Sequence, residues 1–196
     1  HKEYRRQRQM CIRDRYQGDT YFYGTEPNDF LRAEVGRLPP GGRVLCLAEG
    51  EGRNAVFLAQ QGFQVTGVDG SRVGLDKAQR LARERGVTVE TVVADLRSYE
   101  LGEQRWDAVV SIWCHVPPDL RASLHPRIVR ALKPGGVLLL EHYHPRQVGR
   151  GTGGPPDPAL LVTRTDLERD FATLTVLHGA EVERDVREGP GHAGPS

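Results

Sequence analysis

The segment Arg43–Ala59, RVLCLAEGEGRNAVFLA, sets the tightest limit on what this chain can fold into. Arg43–Ala48 is a short apolar run with the length of a buried strand. Ala48-Glu49-Gly50-Glu51-Gly52 follows as a turn. Asn54–Gln61 then has helical spacing, with Val56, Ala59 and Gln60 near one another. Glycines in a strand–turn–helix let the backbone close tightly and let a ligand touch it. Gly50, Gly52 and Ala55 also satisfy G-x-G-x-x-A, the spacing of a dinucleotide-binding turn.

Strand and helix signals alternate onward from this segment. Gln64–Val68 reads as a second strand ending at Asp69. Ser71 is a good N-cap for a helix that runs to about Arg85 and stops at Gly86. Thr88–Ala94, rich in β-branched residues, is a third strand ending at Asp95, and Trp106–Ile112 is a fourth. Arg121–Leu132 predicts a helix closed by the turn Leu132–Gly136. Val137–His142 is a fifth strand, apolar enough to be buried on both faces. Thr165–Leu174 predicts a short helix and Leu174–Val186 a sixth strand. Pro145–Pro158 and the tail from Glu188 are rich in glycine and proline and read as loops. The fold class that follows is α/β: a Rossmann-like, doubly wound, mostly parallel sheet with helices on both faces.

The 196 residues are most simply one domain, expected over 16–196. Twenty-seven Lys and Arg stand against 26 Asp and Glu, a net charge of +1, so no nucleic-acid or membrane partner is expected. No apolar run is long enough to span a bilayer, and no apolar segment follows the polar, basic start as in a secretory signal. Cys11, Cys46 and Cys114 are scattered and odd in number, which suggests reduced thiols in a cytoplasm. Arg8–Arg15, RQMCIRDR, reads as the translation of a transposase sequencing adapter, so residues 1–15 are expected to be non-native.

Asp69, ending the second strand, is placed to accept hydrogen bonds from ribose hydroxyls, and NAD and S-adenosylmethionine fit it equally. Charge is the expected discriminator. A pyrophosphate over the glycine turn would meet Glu49 and Glu51, and like charges in a partly desolvated site cost several-fold more than in water. A cosubstrate carrying an ammonium and a sulfonium would be favoured by the same carboxylates. The plainer role for Glu51 is to complement the helix dipole, worth about 0.3–1 kcal/mol.

With these elements in hand, the chain from about Tyr21 onward resembles the class I S-adenosylmethionine-dependent methyltransferases. The similarity is to small bacterial enzymes of the tellurite-resistance and thiopurine-methyltransferase-like type. It rests on Gly50-Glu51-Gly52-Arg53-Asn54, on the upstream Y-G-x-x-P-N-x-F-L of Tyr23–Leu31, and on the LKPGG turn. The resemblance implies S-adenosylmethionine as cofactor. Ala48, Gly50 and Gly52 would line its methionine part, with Glu49 and Asn54 beside the turn. Asp69 would hold the ribose, flanked by Gly70 and Ser71, and Asp95 and Leu96 would meet the adenine. Ser111, Ile112 and Trp113 would face cosubstrate and acceptor, under an N-terminal lid containing Tyr23, Gly24 and Asn28. Three departures stand out. Cys46 replaces the usual acidic residue ending the first strand, so Glu49 or Glu51 would supply its charge. Ala48 replaces the first glycine. The final antiparallel strand, which would insert between strands five and six, is missing, so a C-terminally truncated domain is expected.

Methyl transfer from a sulfonium is a one-step displacement, so alignment can supply much of the acceleration and no metal is required. His115 follows the fourth strand, where an acceptor would approach, and is the candidate base or orienting group. Its competing role is a turn histidine with a structural hydrogen bond. Glu141, His142 and His144 lack zinc spacing, and no metal site is expected. Cys114 reads as packing. Arg146 and Arg150 read better as solvated loop charges than as an anion site, and Gly149–Pro158 is a candidate acceptor lid. By analogy alone the acceptor would be a small molecule such as a thiol, selenium or tellurium species. A Rossmann oxidoreductase using NAD, or a non-catalytic S-adenosylmethionine-binding domain, remain open alternatives.

Overall fold

A computed structural model describes residue 16, residues 18–190 and residues 192–196; the segment expected to be non-native, residues 1–15, lies outside the described residues. Five strands form the main sheet: β1 Arg43–Leu47, β2 Gln64–Asp69, β3 Glu90–Val93, β4 Trp106–Ile112 and β5 Leu132–Glu141. Their order is β3-β2-β1-β4-β5 and every pairing is parallel. Helix α1 is Asp29–Glu34, α2 Arg53–Gln60, α3 Arg72–Glu84, α4 Pro118–Ala131 and α5 Arg164–Asp170.

Period-2 alternation along β1 divides the core. Val44 and Cys46 face one side, where they pack with Leu31 of α1, Ala55, Val56 and Leu58 of α2, and Leu81 and Ala82 of α3. Leu45 and Leu47 face the other, with Leu120, Leu124 and Ile128 of α4 and Phe171. All four β1 side chains are at most 2% exposed, which identifies β1 as the middle of a two-faced sheet. Truncating Leu45 to Ala there would cost roughly 2–5 kcal/mol.

The predicted elements recur with end shifts of a few residues, and Ser71 caps α3 by accepting from the Gly74 amide. The LKPGG turn is absorbed into β5. Trp106 pairs Leu132 while Ala108 pairs Val137, so the extra residues bulge out of the ladder. A Cβ at Gly136 would lie 2.9 Å from the Lys133 carbonyl oxygen, a backbone atom, so glycine is favoured there.

The sixth strand expected over Leu174–Val186 does not form. Residues 171–184 are irregular, and Val176, Leu177 and Val182 are 57, 66 and 65% exposed. β-branched residues favour a strand only where a neighbouring edge lets them pack, and among the described residues only Asp185 and Val186 of this segment join a ladder. The tail expected to be a loop instead folds into a hairpin of β6 Asp185–Glu188 and β7 His192–Pro195, antiparallel and separate from the main sheet. Among the described residues β5 pairs with β4 alone.

Candidate active site

The strand order reverses between β1 and β4, and in open α/β sheets the crevice at the carboxyl ends of such strands is where ligands sit. Both strands leave the sheet there through a left-handed residue other than glycine, Ala48 at φ 52° and Trp113 at φ 55°. Each such conformation costs of order 1–3 kcal/mol, and strain of this kind clusters at functional sites. Ala48, the departure from glycine noted in the sequence, adopts the dihedral a glycine would, and it is exposed.

The glycines of the turn have separate reasons. A Cβ on Gly52 would lie 2.4 Å from the Ala78 Cβ, so Gly52 lets α2 approach α3. A Cβ on Gly50 would lie 2.7 Å from the Tyr16 hydroxyl, so Gly50 is the position a neighbouring group covers. Asp69 reaches across from β2. Its Oδ2 accepts from the Gly50 amide at 2.9 Å and its Oδ1 from the Ser71 amide at 2.7 Å. Burial raises its pKa, with both amides opposing the shift. Each oxygen keeps a lone pair, enough to accept from two vicinal hydroxyls. Gly70 is exposed beside it. Asp95 is exposed at the end of β3 with Oδ1 on the Arg97 amide, and Leu96 is buried. Turn, aspartate and β3 terminus lie side by side at the carboxyl ends of β1, β2 and β3.

The two glutamates point to opposite sides of the turn, so they do not form the pair on which the charge argument for S-adenosylmethionine relied. Glu49 turns under the loop. It accepts from the Ala55 amide at 2.8 Å, near the N-terminus of α2, and packs against Gly67, where a Cβ would lie 3.1 Å from its Cγ. Burial raises its pKa to about 7, and the same burial, with Glu49 beside it, pushes the Cys46 thiol up. Glu49 therefore does stand next to Cys46, where the sequence lacks its usual acid. Glu51 turns the other way. Its carboxylate is buried, meets Lys77 Nζ at 2.7 Å, and accepts from the Phe22 and Tyr23 amides at 2.8 and 3.2 Å. Its charge is spent on Lys77 and on the segment that covers the site.

That cover is built from both ends of the chain and converges on Glu188. Glu188 is 4% exposed and accepts from Arg53 Nη2 at 2.6 Å, Asn28 Nδ2 at 2.7 Å and Trp113 Nε1 at 2.8 Å, with His192 Nδ1 at 3.5 Å. Burial opposes its charge, yet the His192 and Arg53 contacts hold its carboxyl well below the usual carboxylate range. Asn54 Oδ1 accepts from the Asn28 amide at 2.9 Å. Arg53-Asn54 and the upstream Asn28, two separate motifs in the sequence, are thus two sides of one lock. Gly189 seals it: at φ 67°, its Cβ would lie 2.5 Å from the Phe22 carbonyl. A cavity of about 270 Å³ opens between the two covers, against Tyr23, Arg32, Arg53 and Glu188. Glu188 and His192 were missed in the sequence because they sit in a Gly- and Pro-rich tail. The available signal was a carboxylate and an imidazole placed at the two ends of one tight turn, Glu188-Gly-Pro-Gly-His192.

Ser111 and Ile112 are buried within β4, and it is Trp113 that emerges. Trp113 stacks on Tyr143 with centroids 4.2 Å apart and meets His192 edge-on at 5.4 Å, while Tyr23 lies 4.9 Å from His192. His115 lies deeper, parallel to Tyr143 at 5.7 Å and against His142 at 4.2 Å, with both ring nitrogens buried. That setting places His115 within a stack of aromatic rings. Burial pushes the His142 imidazole down to about 4. Arg146 and Arg150 pair with Glu181 and Glu183 on the surface. Among the described residues no cluster of His, Cys, Asp and Glu suits a metal ion, and no helix is long and apolar enough to cross a membrane.

Residues 44–136 match the family described as methyltransferase domain. A relative from Pyrococcus abyssi, a tRNA (uracil(54)-C(5))-methyltransferase, is 31% identical over 140 residues, 65% of this chain and 32% of that protein. The chain spans about half or less of the length of the curated relatives it matches. Two solved structures share the fold. One is TehB from Haemophilus influenzae, with a TM-score of 0.66 at 16% identity over 85% of this chain and 59% of that one. The other is an S-adenosylmethionine-dependent methyltransferase from Geobacter sulfurreducens in complex with S-adenosyl-L-homocysteine, with a TM-score of 0.60 at 22% identity over 83% and 69%.

Proposed function

Since the chain carries a class I, S-adenosylmethionine-dependent methyltransferase domain, we propose that it transfers a methyl group from S-adenosylmethionine to a small-molecule acceptor. The observation that carries this reading is Asp69, anchored by the Gly50 and Ser71 amides at the end of β2, beside a turn strained at Ala48. When bound, S-adenosylmethionine supplies an electrophilic methyl group on a sulfonium. The chain's own residues bind and align. Asp69 accepts the ribose hydroxyls, Ala48 admits the methionine part against backbone, and Gly70, Asp95 and Leu96 border the base. Trp113 presents the acceptor side. Tyr23 and the β6–β7 hairpin exclude water above it.

A small acceptor is supported by the balanced charge and by the cover, since the N-terminal segment and the β6–β7 hairpin meet beside Trp113. The tRNA acceptor belongs to the Pyrococcus protein, of which this chain spans about a third. Isothermal titration tests the reading. S-adenosylhomocysteine is expected to bind, NAD is not, and Asp69→Ala is expected to remove binding below detection. Equal affinity in wild type and Asp69→Ala would overturn the placement of the cosubstrate, and binding of NAD alone would overturn the reaction.

A further inference from the structure

Glu188 and His192 have a geometry that the alignment chemistry above does not require. Glu188 is buried and takes hydrogen bonds from Arg53, Trp113 and Asn28, which favour its carboxylate form, and a carboxylate only accepts hydrogen bonds. The His192 nitrogen facing it, Nδ1, must therefore carry a proton when the two are bonded. In the neutral ring this leaves Nε2 with the lone pair. The carboxylate sets the tautomer as an orienting acid does for a catalytic histidine. The spacing of 3.5 Å is at the long end of hydrogen-bond range.

The pair lies beside Trp113, where β4 leaves the sheet. Trp113, the strained residue that leaves β4, donates its Nε1 to the same Glu188 oxygen that faces His192, Oε2. Around His192 stand Tyr23 from the N-terminal cover, Trp113 after β4, Tyr143 after β5 and Glu188 on its own hairpin. Behind Glu188 stand Arg53, Asn28 and Arg184, the last at 3.6 Å and paired in turn with Glu141. The charge facing His192 directly is thus one carboxylate, held in place by two guanidinium groups.

Resting on the methyltransferase reading, we propose that His192, oriented by Glu188, is the general base, and that the acceptor is a thiol or hydroxyl compound arriving with its proton on the nucleophilic atom. In the balanced step the acceptor's S–H or O–H bond breaks and its proton passes to Nε2. Its electron pair forms the bond to the methyl carbon, while the carbon–sulfur bond of the donor breaks and leaves its electrons on sulfur. The imidazolium then returns the proton to solvent.

Two readouts test this in the full chain. Long-range ¹H–¹⁵N spectra of the imidazoles at pH 8 are expected to find His192 as the Nδ1–H tautomer, and Glu188→Gln is expected to shift it toward Nε2–H. An Nε2–H tautomer in the wild type overturns the assignment. Methyl transfer is then measured to two probes, benzyl mercaptan, protonated at neutral pH, and 4-nitrothiophenol, already ionised. His192→Gln is expected to lower turnover of the first at least 100-fold more than turnover of the second, the usual scale of general-base catalysis. Equal losses on both probes identify a structural histidine and overturn the proposal. So does a wild type that binds S-adenosylhomocysteine and methylates neither. Failure of the wild type to bind S-adenosylhomocysteine overturns the methyltransferase reading instead.

Discussion

At the scale of single residues, position after folding decides what a charge does. Glu49 and Glu51 are two apart in sequence, and the turn sends them to opposite sides, one beneath the loop and one to Lys77. The glycine spacing and Asp69 were legible because they follow from local backbone geometry. The partners of the carboxylates were not, because Lys77 and Gly67 are brought in by tertiary packing. Glu49 yields a pH prediction. Its folded pKa, raised to about 7, exceeds the unfolded value near 4.3, so the folded state binds the extra proton between them. The resulting stabilisation is full below about pH 4.3 and is lost as pH rises through 7. Wild type is therefore expected to lose about 3 kcal/mol relative to Glu49→Gln between pH 4.5 and 8, which urea unfolding at both pH values measures. A difference between the two proteins that stays constant across that range would contradict it.

At the scale of elements, strands β1 to β5 were legible where apolar runs have the length and punctuation of a buried parallel sheet. The tail was not. Strand pairing is non-local, and residues 174–184 have strand-like composition without joining a ladder. The hairpin that does form is set by Gly189, whose need for a left-handed dihedral and close approach to Phe22 is invisible in a Gly- and Pro-rich stretch. Gly52 offers the cleanest test at this scale, since its role is helix packing and not ligand approach. Gly52→Ala is expected to destabilise by about 3 kcal/mol or more, combining a 2.4 Å contact with Ala78 and a Cβ at φ 92°. The double variant Gly52→Ala/Ala78→Gly is expected to recover part of that loss, because the clash is relieved while the dihedral strain remains. A double-mutant cycle with no coupling between the two sites would mean that α2 and α3 do not meet there.

At the scale of the whole molecule, the crevice is closed by segments separated by some 160 residues, and Asn28 and Glu188 join them at 2.7 Å. Neither cover stands alone. The N-terminal segment gives its Phe22 and Tyr23 amides to Glu51, and the hairpin rests its turn on that same stretch of backbone. Undocking the hairpin would also strip Arg53 and Trp113 of the carboxylate that neutralises one and orients the other. Stability of the cover and geometry of the acceptor side are therefore coupled through one residue. Gly189→Ala probes that coupling without touching any group assigned to binding. A Cβ there would lie 2.5 Å from the Phe22 carbonyl and 2.7 Å from the Gly24 amide nitrogen, both backbone atoms that cannot rotate away. The hairpin must lift, so faster hydrogen exchange is expected at the Phe22 and Tyr23 amides, with no change at β1, whose protection reports global stability. Affinity for S-adenosylhomocysteine is expected to fall several-fold in parallel, since ligand binding must then re-order the cover. Faster exchange with unchanged affinity would separate the cover from the cosubstrate and leave it to the acceptor alone.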